Sequence, residues 1–192
     1  MNSRWTPWIV IAVLFALSLG SFISIGNKLV RLDEGVKSHW SQVENVYQRR
    51  LDLIPNLVNS VKGYAKHEAT VLEEVTRARS QVGQVRVENV EDLKKFDEAE
   101  RGLSGALSRL MVVAEQYPQL KADQNFRDLQ SQLEGTENRI SVERMRFNEA
   151  AQEYNTYLRS FPQSLVAGLR GFKGRPYFAA NEGAKTAPKV EF

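Results

Sequence analysis

The chain contains no cysteine among its 192 residues. Disulfides, thiolate metal sites, cysteine nucleophiles and a lipid-modified N-terminal cysteine are therefore excluded. Histidine is also scarce, since His39 and His67 are the only two. They would lie about 42 Å apart along one continuous helix, too far to share a metal ion within one chain. We expect neither a metal nor another cofactor.

The chain also lacks a large excess of charge of one sign. Its 26 basic and 23 acidic residues leave a net charge of +3. Nucleic-acid binding usually needs basic residues gathered on one face among aromatic side chains. The mixed charge predicts no nucleic-acid partner. Nucleophile-elbow, phosphate-loop and dinucleotide-binding motifs are absent as well, so we expect no enzyme activity.

Charged residues are missing between Arg4 and Lys28, and most of the residues between them are apolar. About 20 apolar residues cross a bilayer as a helix, so we predict a short flank at 1–6 and a transmembrane helix at 7–26. The alternative is a cleaved signal peptide, whose apolar run is usually shorter. Neither cleavage nor the side of the membrane that holds the rest of the chain is decided by these residues.

Small side chains recur every four residues within this span. Such a ladder lets two transmembrane helices approach closely, which favours self-association. Small residues are also common in membrane helices of other kinds, so this interpretation has a plain alternative. The ladder consists of Ala12, Ala16, Gly20 and Ser24.

Glycine and proline are sparse from Leu29 to Phe161, and apolar residues recur there at helical spacing. A period near 3.5 residues is typical of nearly parallel, packed helices. We predict an all-α fold in which a transmembrane helix precedes an antiparallel bundle of long helices at about 28–85, 90–117 and 122–161. Asp123 is placed to cap the third helix. The tail at 162–192 is rich in aromatic residues and is expected to dock on the bundle.

Matching the helix lengths predicts that residues 28–50 project from a three-helix body as a stalk of roughly 35 Å. This stalk would carry an apolar stripe that needs cover from other copies, from the bilayer surface or from the tail. In the alternative arrangement the chain folds back at Pro55 to add a fourth helix. The unbroken heptad phase across the proline favours the stalk. The stripe comprises Leu29, Leu32, Val36, Trp40, Val43 and Tyr47.

Pro55 interrupts this first helix because it lacks a backbone donor and crowds the carbonyl group of Leu51. We predict a kink at this point, with Asp52 capping the helix that continues beyond it.

Three charged residues, Arg50, Glu68 and Glu100, occupy positions in the apolar seams. Because an unpaired buried charge is costly, we expect ion pairs between helices. The predicted alignment pairs Glu68 with Arg139, and it pairs Glu100 with Arg77 or Arg79. A catalytic carboxylate pair is the alternative, but the Glu-x-x-His motifs of di-iron bundles are absent.

Three blocks of the sequence together resemble the LemA family of bacterial membrane proteins. They are "NKLVRLDEGVKSHWSQVENVYQRRLDLIPNLVNSVKGYAKHE", "YPQLKADQNFRDLQSQLEGTENRISVERMRFNEAAQEYNTYLRSFP" and "YFAANEGAKTAPKVEF". The resemblance covers nearly the whole chain. It implies one N-terminal membrane helix followed by a helical bundle in the bacterial inner membrane, and it supplies no catalytic residues.

We therefore expect a non-enzymatic scaffold, anchored in the lipid bilayer, that forms homo-oligomers and organises envelope proteins. The alternative is an accessory subunit of a membrane enzyme such as a quality-control protease.

Overall fold

A computed structural model describes residues 6–65, 67–87 and 90–179. Within these ranges the chain is helical with no strand, which confirms the predicted all-α class. The six helices of the described residues are α1 (Thr6–Tyr64), α2 (Ala69–Gln84), α3 (Val90–Glu115), α4 (Pro118–Ala122), α5 (Gln124–Arg159) and α6 (Gln163–Arg170).

The described residues divide into two compact units. The first unit contains residues 6–40 and 149–175, and the second contains residues 41–148 and 176–179. Helices α1 and α5 each contribute to both units.

Four helices run alternately up and down in the second unit. Helix α2 is antiparallel to α3, because Arg109 near the end of α3 pairs with Glu74 near the start of α2. Helices α1 and α3 run in the same direction. The Tyr47 ring lies 4.8 Å from the Phe96 ring, and Arg50, one turn later, contacts Glu100, also about one turn later. Side chains at heptad positions fill the core, among them Ile54, Leu57, Val61, Val75, Leu103, Leu110, Phe126 and Ile140.

The predicted single helix at 28–85 is wrong, because α1 ends at Tyr64 and α2 begins at Ala69. Residue Arg79 of α2 returns to the level of Leu51, so the chain folds back on itself and adds a fourth helix. The sequence alternative placed this reversal at Pro55, about ten residues too early. The fold-back lets α2 bury one apolar face, formed by Leu72, Val75, Ala78 and Val82.

The corner between α3 and α5 lies beside the end of α1. Asp123 caps α5 as expected, with its Oδ1 accepting a hydrogen bond from the Phe126 N–H at 3.0 Å. Its other carboxylate oxygen accepts one from the Tyr64 hydroxyl at 3.2 Å. A single first helix over 28–85 would instead bring this corner level with residues 50–55, so the misplaced reversal accounts for the difference.

Pro55 lies inside α1 without ending it. A residue with an N–H at this position would bond to the carbonyl group of Leu51, and proline cannot. Arg79 of α2 supplies the missing donor, with its Nε 2.7 Å from the Leu51 oxygen. Asp52 does not act as a cap, since the helix does not restart there; instead it accepts a hydrogen bond from Gln48 at 2.8 Å.

The apolar stripe predicted for the stalk is covered within the chain. Leu29 and Val36 are 0% and 2% exposed in the first unit. Val43 and Tyr47 are 0% and 2% exposed in the second. The expectation of a projecting stalk is therefore wrong. These four residues of the stripe belong to the folded cores of the two units.

Removal of Arg79 tests its role at the proline. We expect Arg79→Met to cost about 1–3 kcal/mol in the wild-type chain, because it leaves the buried Leu51 carbonyl group without a partner. In a Pro55→Ala background the cost should fall below half, since the backbone N–H of the introduced alanine then bonds to Leu51. Urea unfolding in detergent micelles, followed by circular dichroism, measures both values. Arg77→Met, an exposed neighbour, is the control, and equal costs in the two backgrounds would contradict this role.

Two valines on α1 test the burial of the stripe. Val36→Ala should lower the free energy of unfolding by about 2 kcal/mol, since it removes two buried methyl groups. Val30→Ala makes the same chemical change at a side chain that is 46% exposed, and should cost less than about 0.5 kcal/mol. Thermal unfolding of both variants measures the difference. Similar costs, or lost self-association at unchanged stability, would place the stripe between copies of the chain.

Candidate functional site

The guanidinium group of Arg50 lies at the centre of the second unit and contacts two neighbouring helices. Its Nη1 lies 2.5 Å from Oε1 of Glu100 on α3 and 2.8 Å from Oε2 of Glu137 on α5. Its Nη2 donates a hydrogen bond to the Ser104 hydroxyl at 3.0 Å, and that hydroxyl donates to Glu100 at 3.2 Å. One cation thus joins three helices.

Burial raises the pKa of the Glu100 carboxyl above its usual range. The attraction of Arg50 opposes this effect, while the nearby Glu137 adds to it. Burial likewise raises the pKa of the Tyr47 hydroxyl. Glu100 is only 6% exposed and already bonded to Arg50 and Ser104, so its carboxylate is not presented to a substrate. The arrangement is suited to fixing helix register.

A second group of charges joins α3, α5 and the tail in the same unit. Arg144 of α5 pairs with Asp97 of α3 at 2.8 Å, and Asp97 also pairs with Arg101 at 2.7 Å. The guanidinium group of Arg144 lies over the Phe178 ring at 4.3 Å. Asn148 then holds the Phe178 backbone, accepting from its N–H at 2.9 Å and donating to its carbonyl oxygen at 3.2 Å.

In the first unit, an asparagine of α5 likewise binds the backbone of the tail. Asn155 of α5 accepts a hydrogen bond from the Arg175 N–H and donates one to the Arg175 carbonyl oxygen, each at 2.8 Å. The Arg175 guanidinium pairs with Asp33 of α1 at 2.6 Å. In the two units, the extended residues 172–179 thus lie along α5. The rest of the predicted tail, 180–192, lies outside the described residues.

The predicted pairing residues are only partly brought together. Arg50 and Glu100 pair with each other, whereas Arg79 lies at the Leu51 carbonyl group. Glu68 accepts a hydrogen bond from the Tyr117 hydroxyl at 3.3 Å, and Arg139 is exposed. The expected partners were wrong because the fold-back shifts α2 and α3 relative to a three-helix alignment.

The predicted self-association residues fall into two groups. The membrane ladder of Ala12, Ala16, Gly20 and Ser24 is exposed on α1. In the second group, Leu29, Val36, Val43 and Tyr47 are buried, while Leu32 and Trp40 are half-buried. The covered stripe is therefore not available as a free surface.

An open groove lies between α1 and α2 in the second unit. Its volume is about 790 Å³, and Val58 and Leu72 form apolar parts of its wall beside Lys62, Glu73 and Arg77. Sequence reasoning missed this groove because it depends on the fold-back. Among the residues that the structure describes, no group of three or more His, Asp or Glu side chains is arranged to hold a metal ion.

Helix α1 begins with a segment long and apolar enough to cross a membrane, and no other helix of the described residues meets that test. Side chains along this segment are exposed, in contrast to the heptad positions that follow. A single apolar span continued by a bundle with an ion-paired interior defines a membrane-associated helical protein.

The chain belongs to the LemA family, whose sequence model matches residues 39–192. It is 26% identical to the magnetosome protein MamQ 1 of Paramagnetospirillum magneticum, over 90% of this chain and 72% of that protein. It is 27% identical to MamQ of Magnetospirillum gryphiswaldense, with the same coverage. Protein LemA of Metamycoplasma hominis is 24% identical, over 88% of this chain and 78% of that one.

Replacing Arg50 should cost more stability than replacing its partner Glu100. Arg50→Met should lower the free energy of unfolding by about 3–5 kcal/mol at pH 7, because Glu100 is left buried without its partner. Glu100→Gln should cost less, since Arg50 keeps Glu137. The double variant should regain most of the loss. Urea unfolding of the four proteins gives the coupling energy, and additive single costs would argue against a direct interaction.

Lowering the pH should reduce the loss in unfolding free energy that Arg50→Met causes. Burial raises the folded-state pKa of Glu100 above the ordinary glutamate value of 4.5. Its protonated form therefore stabilises the folded state at low pH, and this contribution is lost as the pH rises through the folded-state pKa. In Arg50→Met this loss of stability with rising pH is larger, because no cation offsets the Glu100 charge. The difference in unfolding free energy between Arg50→Met and the wild-type chain should therefore decrease from pH 7 to pH 4. Repeating the unfolding series across this range checks it, with Arg50→Met/Glu100→Gln as the control.

Proposed function

We propose that the protein is a non-enzymatic scaffold in the bacterial inner membrane that self-assembles through its apolar helix and organises envelope proteins. The observation that carries this proposal is the contrast along α1. Its ladder of small residues is exposed, whereas four of the six residues of the apolar stripe that follows are buried inside the chain. This contrast supports a contact between copies through the membrane-spanning segment.

The polar interior supports a role without catalysis. Arg50, Glu100 and Asp97 each have a partner on another helix, so their charges hold the bundle together. The names of the related proteins do not suggest an enzyme either.

The geometry of the ladder supports helix association. Gly20 has no atom within 4 Å of the position that a Cβ would occupy, so a facing helix has room to approach its backbone. Because such helices pack through van der Waals contact in lipid, a large side chain on this face should separate them.

The groove between α1 and α2 favours a second function, that of an accessory subunit for a membrane enzyme such as a quality-control protease. Its wall combines apolar side chains with Lys62, Glu73 and Arg77, a mixture suited to a protein partner. In this case one heterologous partner would occupy the groove, and contacts between copies would not be required.

Gly20→Leu should weaken self-association about tenfold or more, because its side chain holds the facing helices apart. Ser18→Leu is the matched control, since Ser18 lies about 200° around the helix from Gly20. The absence of cysteine allows labelling at Ser38→Cys, an exposed position on α1. Energy transfer between donor- and acceptor-labelled full-length chains in vesicles measures association.

Equal energy transfer in the two variants would exclude the ladder as the contact. Cross-linking in native membranes separates the two functions, because a scaffold gives a series of self-products and an accessory subunit gives one heterologous product. Loss of that heterologous product in Arg77→Glu would favour the accessory function.

A further inference from the structure

Helix α6 and the turn before it expose three large apolar side chains. Phe161, Leu165 and Leu169 are 80%, 60% and 80% exposed. Leu165 and Leu169 lie four residues apart on one side of α6, and Phe161 lies in the turn just before the helix. Ala167, on the opposite side of the helix, and Val166, on its flank, are buried. Contiguous apolar side chains of this size usually mark a contact with a partner or with lipid.

This face lies beside the apolar span of the same unit. The Arg170 guanidinium is 5.7 Å from the centre of the Phe22 ring. It also lies against Gly26, where an added Cβ would be 2.1 Å from the Arg170 Nη1 atom. Near the end of α5, the Tyr157 ring is 4.5 Å from Lys28 Nζ. Helix α6 is therefore level with the end of the span.

The chain segment that contains α6 carries only basic charge. From residue 154 to residue 181 the sequence contains no aspartate or glutamate, and its basic residues are Arg159, Arg170, Lys173 and Arg175. On α1, Lys28 follows the apolar span directly. Arg175 is committed to Asp33. Basic residues at the end of a span attract anionic lipid headgroups.

We propose that Phe161–Arg170 is a second membrane-binding element, which lies in the interface of an anionic bilayer. Phe161, Leu165 and Leu169 enter the boundary between headgroups and acyl chains, and Arg170 reaches the lipid phosphates. Phe22 lies six residues before Lys28, or about 9 Å along α1. This agrees with the depth of about 5–10 Å at which interfacial helices bury their apolar face.

The bilayer is the occupant because the face is continuous with a surface that already requires lipid. Helix α1 carries exposed apolar side chains up to Ile23, the level at which Arg170 of α6 contacts it. A bilayer that covers these side chains reaches α6 without any change in the first unit. The basic residues around the face then meet phosphate groups rather than a second basic surface of the same chain.

Spin labels on the full-length chain test this placement. Leu165→Cys and Leu169→Cys each give a single labelling site, because the natural chain has no cysteine. Ser38→Cys, exposed on α1 and about 18 Å beyond Gly26, is the matched aqueous control. Each labelled protein is placed in vesicles of phosphatidylcholine and phosphatidylglycerol. Collision rates are measured with oxygen, which enters the bilayer, and with a neutral nickel chelate, which remains in water.

The ratio of oxygen to nickel collisions should be at least threefold higher at positions 165 and 169 than at position 38. Omitting phosphatidylglycerol should lower the ratio at positions 165 and 169. Ratios equal to that of the aqueous control would overturn the proposal. Low collision rates with both reagents would overturn it as well, because they would show that protein covers the face. A ratio unaffected by phosphatidylglycerol would overturn the preference for anionic lipid.

Discussion

Two consecutive residues of α1 fix the position of every other long helix in the second unit. The side chain of Arg50 pairs with α3 and α5, and the backbone carbonyl group of Leu51 accepts a hydrogen bond from α2. Apolar heptads alone permit helices to slide by a whole repeat at little cost. Buried polar contacts do not, because a slipped register leaves charges and carbonyl groups without partners. The arrangement of the four helices therefore depends on this one turn.

The same contacts restrict what the polar interior can do. The buried carboxylate of Glu100 faces the Arg50 cation on another helix, and burial raises the pKa of this carboxyl. Groups held in this way stabilise one arrangement of the helices. The surfaces left for interaction lie at the edges of the units: the apolar span, the basic end beside it and the open groove between α1 and α2.

Much of the helical pattern was visible in the sequence. A series of apolar residues spaced seven apart, from Phe126 to Tyr154, is buried throughout. The cap at Asp123 also forms as its residue type suggests. The fold-back after Tyr64 was missed because both flanking segments are amphipathic and no Asn-Gly or proline marks the turn. The main signal was Glu68, a charged residue at a seam position that is otherwise apolar. The partners of Glu68 and Glu100 could not be predicted, because the three-helix alignment was wrong. Phe161, the last member of the series, is exposed because α5 has already ended.

The bond between Arg79 and the carbonyl group that Pro55 leaves free also has an evolutionary consequence. A chain that acquires the proline first passes through a form with an unpaired buried carbonyl group. A chain that acquires the arginine first does not, because its helix keeps its own hydrogen bond until the proline appears. The two residues are thus linked in order as well as in space. Once the proline is present, the arginine is the residue that a lineage can no longer lose freely.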